Sequence, residues 1–149
     1  MEELTNSNNS CNDFLLEFNE KFDLKFKMIS KQFINGLHRL LILWIINKNR
    51  IHGYGIMKCL DNFFEEFIEN DILSKSNSSK IYPILHEMEE NEIIFGEWDL
   101  NNNKKVKFYT ITPKGRLLLQ NAKLKHKKLL STDLWTDFLH DMGIKIIED

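Results

Sequence analysis

The sequence predicts a mainly helical protein with one small β-hairpin, and three short runs in a fixed order carry this prediction. The first run, His52-Gly53-Tyr54-Gly55-Ile56, opens a helix, and the second, Ile81-Tyr82-Pro83-Ile84-Leu85, lies in a helix that follows a Ser/Asn-rich break. The third, Phe108-Tyr109-Thr110-Ile111-Thr112-Pro113-Lys114-Gly115, forms the return strand of a hairpin and then enters another helix. Helix, helix and hairpin is the order of a winged helix-turn-helix, a fold that places one helix in the DNA major groove and the hairpin on the backbone beside it.

The composition bounds the chain to one domain with helical extensions. It has 149 residues, of which 42% are hydrophobic, and this is enough for a real core. No apolar run approaches the roughly 18 residues of a membrane span, and the polar, acidic start is unlike a signal peptide. Cys11 and Cys59 lie in no CxxC motif or His/Cys cluster. Such cysteines indicate reduced thiols and a cytoplasmic protein.

The first 32 residues are predicted to precede the core domain. Residues 1–12 are polar and Asn/Ser-rich, which is typical of a disordered tail. Residues 13–32 are predicted to form an amphipathic helix, because apolar side chains recur there every three or four positions. That stripe consists of Phe14, Phe18, Phe22, Phe26, Ile29 and Phe33. Packing in a core or a dimer is favoured for it over a ligand-binding wall.

The DNA-binding domain is predicted over residues 33–112. Its first helix, 33–47, is apolar almost all round and is expected to be the central buried one. The helix that His52-Gly53 opens is expected to run to about Phe67, with the first glycine allowing tight packing or a positive φ. After a loop over residues 70–79, whose hydroxyls can cap a helix or donate to phosphates, the recognition helix is placed at residues 78–91.

Donors for reading DNA are expected at the start of the recognition helix, where residues 79, 82, 83 and 86 share the face opposite its apolar residues. A solvated helix face with a tyrosine packed at its edge is the alternative interpretation. The candidates are Asn77, Ser78, Ser79, Lys80, Tyr82 and His86.

The hairpin is predicted from strands at residues 93–100 and 105–112 with an Asn101-Asn102-Asn103 turn, since asparagine accepts a left-handed φ. Alternation of Val106, Phe108 and Thr110 with the residues between them indicates that this set packs, while the other face meets water or DNA. Lysines near the tip suit contacts with the DNA backbone, although a solvated tip is the alternative. These are Lys104, Lys105 and Lys107.

The last segment, residues 113–149, is predicted to be one long helix. Thr112-Pro113 is an N-cap followed by proline at the first helical position, and Gly143 is expected to stop the helix after Met142. About 30 residues at 1.5 Å each give a length of roughly 45 Å, which exceeds a small domain. The helix should therefore project and pack on something else.

These runs and their spacing resemble the PadR family of transcriptional regulators over residues 33–116. The resemblance implies a homodimeric DNA-binding regulator in which the C-terminal helix forms the dimer and the N-terminal helix joins it. It implies a repressor that reads a palindrome with recognition helices roughly 34 Å apart. The dimer residues it indicates are Phe18, Phe22, Phe26, Leu130, Leu134, Trp135 and Phe138.

The chain departs from the family pattern at several positions. Ser79-Lys80 stands where the family usually has Gly-Thr, Glu92 replaces a glycine, and Phe108 replaces the first tyrosine of the wing motif. Some relatives bind flat aromatic effectors through an early tryptophan of the C-terminal helix, where this chain has Lys125. A small-molecule effector therefore stays open, and its identity is unknown.

An enzyme and a protein-binding module are the two other classes of function to compare with this sequence. An enzyme is not expected, because the five histidines are scattered and no metal-ligand spacing or nucleophile–base set occurs; no metal or cofactor is expected either. A winged-helix module that binds proteins rather than DNA is the alternative, supported by the net charge of −2. Acids at the end of the recognition helix also support it, namely Glu87, Glu89, Glu90 and Glu92. The surface charge of the wing and of the recognition-helix N-terminus distinguishes the two.

Overall fold

A computed structural model describes residues 37–144 of the chain. The expectations for residues 1–36, including Phe18, Phe22 and Phe26, lie outside the described residues. Within the described part, no helix has the length and apolar character needed to cross a membrane. The elements are α1 (residues 37–48), β1 (Ile51–His52), α2 (Gly53–Phe63), α3 (Glu65–Glu69), α4 (Ser78–Glu90), β2 (Ile94–Asn101), β3 (Lys104–Ile111), α5 (Pro113–Leu130) and α6 (Asp133–Asp141).

The core lies between three helices and one face of a small sheet, as a winged helix-turn-helix requires. Helix α1 contributes four residues to this core, as its apolar sequence predicts, although Trp44 stays 42% exposed. An α-helix presents one stripe to its neighbours, and Trp44 lies off that stripe. The core residues of the helices are Ile42, Leu43, Ile45, Ile46, Ile56, Leu60, Ile81, Leu85 and Met88, and those of the sheet are Ile94, Tyr109 and Ile111.

The second helix is shorter than predicted, because the chain breaks at Phe64. This residue has φ −115° and ψ 21°, outside the helical region, and the short α3 follows it. The loop after α3 is tied back to α2, since Asp61 Oδ1 accepts a hydrogen bond of 2.7 Å from the Ser76 amide.

The sheet has the strand order β1-β3-β2, with all pairs antiparallel. Strand β1 was missed by the sequence analysis, because two residues carry too little pattern. The Asn turn is confirmed: Asn102 and Asn103 have φ of 49° and 63°, the left-handed values of a two-residue hairpin turn.

The packing face of the hairpin is the reverse of the predicted one. Tyr109 and Ile111 are buried against the helices, while Val106 and Phe108 lie on the outer face. The hydrophobic pattern misleads here because other side chains cover Phe108 on the outer face. Phe108 lies under the Arg50 guanidinium, 4.1 Å from ring centroid to Cζ, and its ring centroid is 5.4 Å from that of His52.

The predicted single C-terminal helix is two helices, separated at Ser131 and Thr132. Thr132 is extended, with ψ 148°, and serves as the N-cap of α6. Both hydroxyls donate to carbonyls of the preceding turn, Ser131 to Lys128 at 2.9 Å and Thr132 to Leu129 at 3.1 Å. Such bonds compete with helix continuation. The stop at Gly143 is confirmed by its φ of +70°.

One cluster of contacts joins α4, the hairpin and α5, and we name it the Thr112 junction (Glu92, Ile93, Thr112 and Gly115). The Thr112 hydroxyl lies 2.7 Å from the Glu92 carbonyl oxygen and 2.9 Å from that of Ile93, and it accepts from the Gly115 amide at 3.0 Å. A Cβ added to Gly115 would lie 2.2 Å from the Ile93 carbonyl oxygen. Glycine at position 115 therefore lets α5 start directly against the end of α4.

Glu92 holds a backbone conformation that suits glycine. Its φ is +59°, and the Ile93 amide donates to the Met88 carbonyl at 2.9 Å, which is the pattern of a helix stop with a left-handed residue. This explains in physical terms why the family pattern has glycine here. With a glutamate at this position, the left-handed backbone is strained, because the Cβ lies close to the neighbouring carbonyl oxygen.

Replacing Glu92 with glycine is expected to stabilise the protein by about 1 kcal/mol, because the strain of a left-handed Cβ residue is removed. The measurement is the free energy of unfolding in urea. Glu92→Ala is the matched control, since it removes the charge and keeps the Cβ. An equal gain in both variants would show that charge, and not backbone strain, was relieved.

Candidate nucleic-acid interface

Helix α4 is oriented by its apolar side, which leaves the predicted DNA-reading side exposed. Ile81, Leu85 and Met88 are buried in the core. The candidate residues of the helix itself are all exposed, namely Ser78, Ser79, Lys80, Tyr82 and His86. By helical spacing, Ser79, Tyr82 and His86 share the side opposite the core, while Ser78 and Lys80 flank it.

Asn77 begins α4 as its N-cap. Its side-chain oxygen accepts from the Lys80 amide at 3.1 Å, so the cap is asparagine and not one of the serines that follow. The oxygen is used by the helix, while the amide NH₂ of the same side chain can still donate. Ser78 and Ser79 lie in the first turn, where backbone amides and the helix dipole favour an anion.

Tyr82 joins the second sequence run to the first, because it packs against Gly53. Its ring packs on the backbone of Gly53, where an added Cβ would lie 2.6 Å from the tyrosine hydroxyl oxygen. His52 caps α2 at the same place, its Nδ1 accepting from the Gly55 amide at 3.0 Å. The glycine thus serves close packing, and Tyr82 keeps 43% of its surface exposed at the helix edge.

The acids of α4 are engaged by neighbouring groups. Glu87 pairs with Arg39, and Glu89 pairs with Lys107 at 2.7 Å. His86, a candidate reader, lies 3.2 Å from Glu90, one turn further along the helix. The acidic end of α4 is therefore partly neutralised, and the groups available at its N-terminal turn carry no carboxylate.

The wing lysines lie in two different surroundings. Lys107 is held against Glu89 on the helix-facing side, with 26% of its side chain exposed. Lys104 and Lys105 are exposed beside the Asn102-Asn103 turn, and among residues 37–144 neither is paired with a carboxylate. The structure therefore brings Lys104 and Lys105 to the tip and places Lys107 farther back.

Arg50 is a residue of this surface that the sequence analysis missed. It lies 2.9 Å from both Glu97 and Asp99 on the outer face of β2. The Leu100 amide and the Arg50 guanidinium lower the pKa of Asp99. Alternating acids along β2 were the available signal, but their partner comes from the segment before β1. The pairing leaves the hairpin tip with the positive charge of its two lysines.

Tyr109 of the wing motif is part of the core and does not face the outside. It is 4% exposed, and burial together with Glu89 and Tyr82 raises its pKa to about 12. Its hydroxyl therefore stays neutral at physiological pH.

Among the described residues, no three His, Cys, Asp or Glu side chains come together as a metal site would need. Cys59 is a free thiol, half-buried beside the core.

Comparison with protein-family models identifies the class. Residues 42–121 match the model described as the PadR-like transcriptional regulator family, so the chain belongs to this family of transcriptional regulators, whose members are not enzymes. No curated protein sequence matches the chain.

Solved structures show the same fold. A PadR family transcriptional regulator from Eggerthella lenta is similar with 20% identity and a TM-score of 0.60, over 76% of this chain and 99% of that one. A PadR-like regulator from Bacillus cereus is similar with 24% identity and a TM-score of 0.51, over 68% and 99%. Bacillus subtilis PadR in complex with operator DNA has 25% identity over 56% of this chain and 43% of that one, with a TM-score of 0.43, too low for comparison of individual residues.

Removing the α4 cap is expected to weaken the fold. Asn77→Ala leaves the Lys80 amide without its acceptor and should lower the free energy of unfolding by about 1 kcal/mol. Asn77→Asp is the matched control, since a carboxylate caps equally well and suits the helix dipole. Urea unfolding of the three proteins is the measurement. Equal loss in both variants would mean that the side-chain oxygen does not cap α4.

Proposed function

We propose that this protein is a sequence-specific regulator that binds double-stranded DNA as a homodimer and represses transcription at a palindromic operator. Two exposed features together support it best. The N-terminal turn of α4 is exposed, and so are Lys104 and Lys105 at the hairpin tip. Carboxylates that would oppose DNA there are held by Arg50 and Lys107.

Reading of sequence is assigned to the first turns of α4 in the major groove. Ser78, Ser79 and the Asn77 amide can donate to phosphates or base edges, and Lys80 adds a charge. Tyr82 contributes from the helix edge, and His86 can take part once it leaves Glu90. Lys104 and Lys105, closest to the tip, position the protein on the DNA backbone, and Lys107 can join them once it leaves Glu89.

Self-association is assigned to the C-terminal helices. Leu134 is 83% exposed, and Trp135 and Phe138 form an edge-to-face pair with centroids 5.6 Å apart that is also exposed. Burial of such apolar surface stabilises an interface. Leu130, which is half-buried, continues the set, and Phe18, Phe22 and Phe26 are proposed to join it. A two-fold dimer presents two copies of α4 and so reads a palindrome.

Repression would follow from occlusion of a promoter by the bound dimer in the cytoplasm. An effector, if the protein has one, would change the distance between the two α4 helices through α5. The protein-binding alternative depended on the acids of α4, and the pairing of Glu87 and Glu89 with cations weakens that support.

Binding to a duplex selected from a random DNA pool is expected to weaken linearly as salt rises, because bound phosphates release counterions. Changing Lys104 and Lys105 together to glutamine should reduce the slope of log affinity against log salt by about 1 for each lysine, with sequence preference kept. Fluorescence anisotropy at several salt concentrations measures this. Lys58→Gln, an exposed lysine of α2, is the control. Absence of sequence-preferring binding by the unchanged chain would refute the proposal.

The unchanged chain is expected to sediment as a dimer, and Phe138→Asp is expected to sediment as a monomer, because a carboxylate would be buried in the apolar contact. His140→Asp adds a carboxylate to the same helix at an exposed position off the apolar side, and it should stay dimeric. Sedimentation equilibrium distinguishes the species. A monomeric unchanged chain would count against the two-fold arrangement.

A further inference from the structure

The helix-facing side of the hairpin ends in two exposed apolar side chains. Along β2, Ile94 is buried and Gly96 lies against Glu89, so the even-numbered residues face α4. The next two residues on this side, Trp98 and Leu100, are 63% and 67% exposed. They extend the packed face toward the tip, where no described helix covers them.

Lysines lie beside both residues of this pair: Lys105, which is unpaired among the described residues, and Lys107, which is opposite Trp98 and pairs with Glu89. Leu100 lies opposite Lys105 in the sheet, and Lys105 Nζ is 5.7 Å from the centroid of the Trp98 ring. The acids of the same strand, Glu97 and Asp99, point to the outer face and are held by Arg50. A polyanion can therefore approach the Trp98 side without meeting an unpaired carboxylate of β2 or β3.

Lysine side chains can pair with phosphates, whereas an isobutyl group cannot and an indole has a single N–H donor on a large apolar ring. Apolar side chains bind DNA favourably in the minor groove, where they contact the sugar walls or wedge between base steps. A winged helix places its hairpin beside the recognition helix on the duplex. Lys104 and Lys105 would then contact phosphates on both sides of the minor groove, while Trp98 and Leu100 enter that groove.

We propose that Trp98 and Leu100 make an apolar contact with the DNA minor groove next to the half-site that α4 reads. This rests on the proposed function of DNA binding. The contact makes affinity depend on the base pairs flanking the half-site, because the exocyclic amino group of a G·C pair projects into the minor groove and an A·T pair has none there.

The chain offers a matched control on the same strand. Phe95 is 58% exposed, close to the value for Trp98, but it lies on the outer face of β2. If exposure of an aromatic ring were enough, Phe95→Ala and Trp98→Ala would behave alike. The proposal requires that they differ.

The first test measures affinity and salt slope on the duplex selected by the full-length chain. Trp98→Ala and Leu100→Ala should each weaken binding about tenfold through lost apolar burial. The salt slope should not change, since an apolar contact releases no counterion. Phe95→Ala should bind like the unchanged chain, and Trp98→Phe should keep most of the affinity. Circular dichroism and the thermal midpoint verify that each variant is folded.

The second test alters the groove instead of the protein. Changing the flanking A·T pairs to G·C should weaken binding of the unchanged chain, and replacing those guanines with inosine, which lacks the amino group, should restore it. Trp98→Ala should respond little to either change. If Trp98→Ala matches Phe95→Ala, or keeps the full dependence on the flanks, this inference is overturned while DNA binding stands. If the unchanged chain shows no sequence preference and no salt dependence, the proposed function fails as well.

Discussion

The Thr112 junction is the constraint on which the rest of the structure depends. Its threonine hydroxyl bonds to the chain leaving α4 and caps the helix α5 that follows the hairpin. Gly115 lets the backbone of α5 lie against the carbonyl of Ile93, in the segment that follows α4. The start of α5 is therefore joined to the chain that leaves α4. The proposed dimer surface and the proposed reading surface are connected at this point.

Charge pairing explains how a chain with net charge −2 presents a positive tip. Arg50 and Lys107 are used within the protein, against Glu97, Asp99 and Glu89. The exposed pairs contribute little to stability in water. Their larger consequence is that, among the described residues, they leave Lys104 and Lys105 as the unpaired charges of the hairpin tip, the ones proposed to meet DNA. Net charge alone is thus a poor guide to binding, because position decides which charges are available.

Much of the fold followed from local signals. The Asn turn, the Thr112-Pro113 helix start and the stop at Gly143 each depend on backbone preferences of one or two residues, and the structure bears them out. The exposed start of α4 also followed, since helical spacing places its apolar residues on one side. The errors lie where two elements meet. Hydrophobicity assigned Val106 and Phe108 to the packed face, but Arg50 covers Phe108 from another segment. Hydroxyl bonds at Ser131 and Thr132 divided a helix that periodicity would continue.

The sequence by itself determined the order of the main helices and the hairpin, the helix proposed to carry the reading groups and the family that the chain belongs to, because motif spacing and backbone preference are local properties. Tertiary structure alone decided that Tyr82 packs on Gly53, that Lys107 is engaged by Glu89 and that Trp98 extends from the packed face into solvent. Each of these depends on residues far apart in the chain. No pattern within one segment encodes which distant carboxylate or backbone a side chain will meet once the core has closed.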